Sequence, residues 1–226
     1  MNGASLRATL RTSNGFPGMP DGQGARNGGP GSPHGTRKVG LWVFMAVVTA
    51  LFMLFGFAYA MRMAYDDWRS LNYVPWQLWL STGLLLAGSA VWEMARRHAM
   101  AQRREAARSL SIGALLLALA FLASQLSAWA AMSADYGLRA NPANGFFYMI
   151  TGLHGLHVIG GVVAGLLVGA GFVRGQATQR VGEGIALCAQ YWHFLFVLWL
   201  ALFALLFYVT PDVVRAFCTT VGIPMR

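Results

Sequence analysis

Acidic side chains are scarce in this chain: Asp and Glu together number 8 among 226 residues. Glu93 is the one acid inside a long apolar segment. That argues against a di-iron centre of the Glu-x-x-His kind, which needs several carboxylates projecting into one core. Cysteine is rarer still. Cys188 lies in an apolar run and Cys218 near the end, so no disulfide framework is expected. Charge of either sign is sparse, at 11% of residues, where soluble domains carry about a quarter.

What is present instead is apolar: 56% of the residues are hydrophobic. They gather into five segments, roughly 39–61, 76–95, 109–131, 145–172 and 185–209. Each supplies about 20 residues or more, enough for a helix to cross a hydrocarbon core of about 30 Å. The expected fold is all-α: a polytopic membrane bundle of five transmembrane helices, with sequence neighbours antiparallel across short connections.

Residues 1–36 differ in kind. They hold nine glycines and four prolines and almost no large apolar side chain, the composition of a disordered tail. No short apolar region follows Met1, so no secretory signal is expected there. The transmembrane domain is expected over 37–226.

The net charge of +9 is placed between the apolar runs, where it sets orientation rather than binding nucleic acid. Twelve Lys and Arg fall on the side holding the N-terminal tail, the 96–108 connection and the 173–184 connection; five fall on the other. The positive-inside rule therefore predicts a cytoplasmic N-terminus. The run RRHAMAQRREAARS, joining two spans, is expected to meet lipid headgroups, with Arg96 and Arg97 at their level. Glu93 is then an interfacial partner of those two arginines, at helix spacings i, i+3 and i, i+4. Tyr65, Trp68, Tyr73, Trp76, Trp129, Tyr136 and Tyr208 lie near span ends, as in an interfacial belt.

The few polar groups within spans carry the most information. The fourth span holds His154 and His157, then Gly161, Gly165 and Gly169 at four-residue spacing. On a helix, His157 and the glycines share one face, with His154 one turn before. Hydrocarbon offers an imidazole no partner, so this face is expected to meet protein, and small residues let another helix backbone approach. Gln125 lies late in the third span, and Gln190 and His193 are one turn apart in the fifth. By helical rise Gln125 matches His154 in depth, and His157 matches His193. His154 and His157 are a conceivable metal-ligand pair with His193 as a third ligand. No membrane carboxylate completes such a site, so interhelical hydrogen bonding is the expected role, and neither a catalytic nor a metal role is assigned.

The run FFYMITGLHGLHVIGG, followed about 30 residues later by QYWHFLFVLWLALF, resembles subunit III of the haem–copper terminal oxidases, in the short five-span bacterial form. Thr151, Gly152, His154, Gly155, His157 and Val158 match the family's T-G-x-H-G-x-H-V stretch. Trp192, His193, Phe194 and Trp199 match its W-H-F stretch, and Gln125 a glutamine in the preceding span. The resemblance covers about residues 38–210. Two family carboxylates are missing: Leu195 and Phe196 stand where an aspartate follows W-H-F, and Val48 lies near the place of a buried glutamate in the first span.

The resemblance implies an accessory, non-catalytic subunit of a cytochrome c oxidase-type complex in a bacterial inner (plasma) membrane. It implies no redox centre in this chain; haem and copper are expected in the partner, subunit I, with subunit II nearby. Phospholipid binding and support of turnover and proton uptake are implied as well. A catalytic haem–copper subunit is expected to use six histidine ligands, and this chain has five histidines in all. A helper protein of nitric oxide reductase and subunit III of a quinol oxidase are the alternative readings. The residues expected at packing, lipid or subunit contacts are Glu93, Arg96, Arg97, Gln125, His154, His157, Gly161, Gly165, Trp192 and His193.

Overall fold

The computed structural model describes residues 33–63, 68, 76–135, 142–211, 213–214 and 220. The chain divides into a unit Met1–Thr36 and a unit Arg37–Arg226. Most of the glycine- and proline-rich tail lies outside the described residues, as do Tyr65, Tyr73, Tyr136 and Cys218.

Five helices follow in order: α1 Pro33–Arg62, α2 Trp76–Met100, α3 Arg104–Asp135, α4 Pro142–Val173 and α5 Thr178–Phe207. All five are long and apolar enough to cross a membrane. Among the described residues there is no strand. Hydrocarbon satisfies no peptide group, so a spanning segment must bond its own backbone, as a helix does. Hydroxyls within the spans follow the same demand. Thr49, Ser81, Thr82, Ser111 and Thr151 each donate to the carbonyl four residues back, at 2.6–2.9 Å.

Most helices outrun the apolar segments. α2 continues to Met100 and α3 begins at Arg104, so the basic run remains helical except for a three-residue turn. Gln102 makes that turn with a left-handed φ of 58°. α4 and α5 are joined by a turn in which Gly175 adopts φ 65°, a conformation suited to a residue without Cβ. Arg104 ties the two turns together. Its guanidinium donates to Gln176 O at 3.1 Å and Phe172 O at 3.2 Å, so a cation occupies the carbonyl end of α4.

α2 packs on α3 and α5, and α4 packs on the same two, so these four helices form a ring. Its interior is aromatic and fully buried: Trp92, Trp192, Trp199, Phe121 and Phe147. The Trp92 and Trp192 rings stack with centroids 6.5 Å apart. Ser124 donates to Gln77 O at 3.0 Å, with its hydroxyl 3.1 Å from Ser81 Oγ, closing the α2–α3 seam. Trp129 takes part in a seam. Its indole N–H donates to Thr151 Oγ1 at 3.1 Å, across α3 and α4.

α1 stands outside the ring, on the α4–α5 edge. Tyr59 donates its hydroxyl to Leu206 O at 3.3 Å and sets its ring edge-on to Phe146. Met45, Val48, Phe52, Tyr59 and Met63 form its buried stripe; Val43, Val47, Leu54, Phe57 and Met61 are exposed around the rest. An outward apolar surface of this kind suits lipid tails.

Candidate functional site

The three histidines within the spans occupy three separate environments, so they do not converge on one ligand site. His154 enters the ring core and is fully buried. Its imidazole lies 6.0 Å from the Phe121 ring, edge to face, and 5.2 Å from Trp199. Trp199 in turn donates its indole N–H to Thr82 Oγ1 at 2.9 Å, so α2, α3, α4 and α5 all meet at this level. Gln125 shares it: one turn from Phe121 towards His154 and one turn from Trp129 towards Thr151. Among the described residues, neither the Gln125 amide nor the His154 ring nitrogens have a hydrogen-bond partner. Buried groups of this kind are ordinarily satisfied by internal water.

His157 turns the other way, towards α1. Phe44 and Phe52 of α1 stand 6.2 Å and 5.5 Å from its ring. Its Nδ1 is 2.7 Å from Leu153 O, a bond in which the ring N–H donates. Tyr191 of α5 donates its hydroxyl to His157 O at 3.0 Å. His157 thus joins α1, α4 and α5 rather than sharing a site with His154.

His193 lies on the α2–α5 flank. Its Nδ1 is hydrogen-bonded to Ser89 Oγ, and its Nε2 is 3.8 Å from Glu93 Oε2. Glu93 holds Arg96 through two bonds of 2.7 Å and Arg97 through one of 3.0 Å. The i, i+3 and i, i+4 spacings place both guanidinium groups on one carboxylate, as helix geometry dictates. Ser89, Glu93 and Arg96 follow each other on one face of α2, so a polar ladder runs from the middle of α5 towards the arginine-rich end. Sequence reasoning missed Ser89 and the Glu93–His193 approach. The i, i+4 spacing of Ser89 and Glu93 was the available signal, but it does not say which helix lies opposite.

The glycines do open a seam, and what fills it is side chains. A Cβ on Gly161 would sit 3.2 Å from the Tyr191 ring and 3.4 Å from the Trp192 ring. On Gly165 it would meet Leu115 Cδ2 at 2.7 Å and Trp92 Cζ2 at 3.1 Å. Gly169 has nothing within 4 Å, so the stripe is used over two of its three positions.

Between α1 and the α4–α5 edge lies a cleft of about 230 Å³. Leu41 and Phe44 form one wall; Gly160, Ala164, Leu187, Cys188 and Tyr191 form the other. The lining is apolar except for the Tyr191 hydroxyl and the Cys188 thiol, and the hydroxyl is already bonded to His157 O. Such a space accepts a hydrocarbon chain and offers little to a charged ligand. Among the described residues no three His, Cys, Asp or Glu side chains are grouped to hold a metal.

Five membrane-long helices, an aromatic core, polar groups spent on helix seams and an apolar side cleft define a multi-pass helical membrane protein. Residues 38–210 match the family described as cytochrome c oxidase subunit III, and the chain belongs to that family. Among its relatives, cytochrome c oxidase subunit 3 of Triticum aestivum is 30% identical over 135 residues, 59% of this chain and 50% of the relative. That of Thermostichus vulcanus is 38% identical over 82 residues, 35% of this chain and 40% of the relative. The probable cytochrome c oxidase subunit 3 of Mycobacterium leprae is 35% identical over 63 residues, 28% of this chain and 31% of the relative. These matches span about half the length of the relatives or less.

Proposed function

We propose that this chain is the accessory subunit III of a respiratory haem–copper oxidase in a bacterial plasma membrane. The observation that carries this reading is the family match over 38–210, which takes in all five spans. In this reading the chain flanks a catalytic subunit that holds the haems and copper, carries no redox centre itself, and sustains turnover and proton uptake. The separation of His154, His157 and His193 into three environments supports the non-redox assignment. The α1–α4–α5 cleft supports a phospholipid role: its lining matches an acyl chain in chemistry, and about 230 Å³ takes a segment of one. The excess of Lys and Arg at the α2–α3 and α4–α5 turns supports a cytoplasmic placement of that end.

The test is purification of the tagged chain from its native membrane. The complex is expected to show haem absorption, copper and oxygen consumption, and the chain stripped of partners neither haem nor copper. Stoichiometric haem or copper in the stripped chain overturns the assignment. A second reading, helper of a nitric oxide reductase, is favoured by one observation: Val48 and Leu195–Phe196 stand where the family carries carboxylates. A partner reducing nitric oxide instead of oxygen decides for it.

A further inference from the structure

Each helix of the ring sends one buried polar side chain inward: Trp92 from α2, Gln125 from α3, His154 from α4 and Trp192 from α5, none more than 3% exposed. All four keep polar atoms without a hydrogen-bond partner among the described residues. For the two indoles that atom is a single donor, Nε1. For Gln125 and His154 it is everything the side chain has: both amide atoms of one and both ring nitrogens of the other. An amide donates twice and accepts twice, and a neutral imidazole donates once and accepts once. Bare groups of this kind are costly in an apolar interior, and native cores rarely leave them so.

The hydroxyls nearby are already engaged. Thr151 gives its proton to Phe147 O and takes the Trp129 N–H. Thr82 gives its proton to Leu78 O and takes the Trp199 N–H. Gln125 and His154 are left to each other, at one level of the α3–α4 seam, yet no direct bond joins them. What spans the two must be small and neutral, and must both donate and accept. A metal ion needs more ligands than this level offers, since no three His, Cys, Asp or Glu side chains are grouped among the described residues. Water fits. It needs two to four polar partners, which an amide facing an imidazole supplies and a lone indole donor does not. We infer that the ring core holds an ordered water that bridges the Gln125 amide of α3 to the His154 imidazole of α4. The direct bonds between these helices lie towards their ends, Trp129 to Thr151 near one and Arg104 to Phe172 O near the other. The water closes the seam between them. Gln125 and His154 thereby share one task, holding that water, and the assignment does not depend on which complex the chain serves.

The experiment is a cryo-electron microscopy map of the intact protein as purified from its membrane, at a resolution where ordered water is visible on the protein surface. The expected result is a water peak about 2.7–3.2 Å from both a Gln125 amide atom and a His154 ring nitrogen. An empty space between the two side chains, or a direct Gln125–His154 bond, overturns the inference. A second measurement reads the same bridge through stability. Gln125→Leu and His154→Leu each leave the other side chain bare, and each is expected to lower the thermal midpoint. The double variant removes both ends of the bridge and is expected to lose less than the sum of the two. His154→Gln keeps a donor and an acceptor for the water, and is expected to stay closer to the unchanged protein than His154→Leu. Strict additivity, or leucine tolerated at His154 as well as glutamine, overturns the bridge. Where a leucine variant fails to assemble, the map of the unchanged protein decides.

Discussion

The indole of Trp199 bridges His154 and Thr82: its ring lies 5.2 Å from the imidazole, while its N–H donates to the threonine hydroxyl at 2.9 Å. One side chain of α5 thereby joins α4 to α2 through the ring core. In a membrane, where lipid is as apolar as leucine, close packing and a few hydrogen bonds of this kind hold helices together.

Trp199→Phe keeps an aromatic ring beside His154 and Phe121 and removes the donor. It is expected to lower unfolding stability in detergent by about 0.6–2 kcal/mol, and Thr82→Val by a similar amount. The double variant is expected to lose less than the sum, because both changes remove one bond. Strict additivity in a denaturation series would mean that the bond contributes nothing.

Gly165→Leu is expected to destabilise the bundle by about 1–3 kcal/mol or more, since even a Cβ there meets Leu115 Cδ2 at 2.7 Å. Gly169→Leu, with nothing within 4 Å, serves as the matched control and is expected to be near neutral. Gly165→Leu should also weaken assembly more than His154→Gln or His157→Gln, which keep a hydrogen-bonding group. The measurement is thermal unfolding together with co-purification of the partner.

Gly160→Trp tests the cleft. Gly160 lines it and has nothing within 4 Å, so an indole enters open space rather than a packed seam. The bound phospholipid quantified by lipid mass spectrometry is expected to fall, while unfolding stability is retained. Unchanged lipid stoichiometry would remove the cleft as the binding place.

Orientation is read out by cysteine labelling in intact cells. Gln102→Cys, in the α2–α3 turn, is expected to be shielded from an impermeant reagent, and Asn141→Cys to react. The reverse pattern inverts the topology drawn from twelve basic residues against five.

Much of this molecule is legible along the chain. The five spans are, because crossing hydrocarbon depends on local length and apolarity. The Glu93–Arg96–Arg97 cluster is, because i, i+3 and i, i+4 neighbours meet on any helix. The two histidine-bearing motifs of α4 and α5 carry the family. The destinations of those histidines are another matter. His154 and His157, three residues apart, diverge by about 60° around α4. That modest angle sends one into the core against Trp199 and the other towards Phe52 of α1.

The sequence by itself determined that the chain is a bundle of membrane-long helices and where each lies, though not its ends: α1 begins at Pro33 rather than 39 and α5 at Thr178 rather than 185, because polar residues continue a helix beyond its apolar run. It determined too that small residues on α4 open a seam. Only the tertiary structure decided what fills that seam, Trp92 and Leu115 at Gly165 and two rings of α5 at Gly161. It alone set α1 outside the ring, leaving a cleft, and brought Ser89 of α2 to His193 of α5, 104 residues on. Helix partners are chosen by the fit of whole faces, and in a chain apolar nearly all round, no face announces its partner in advance.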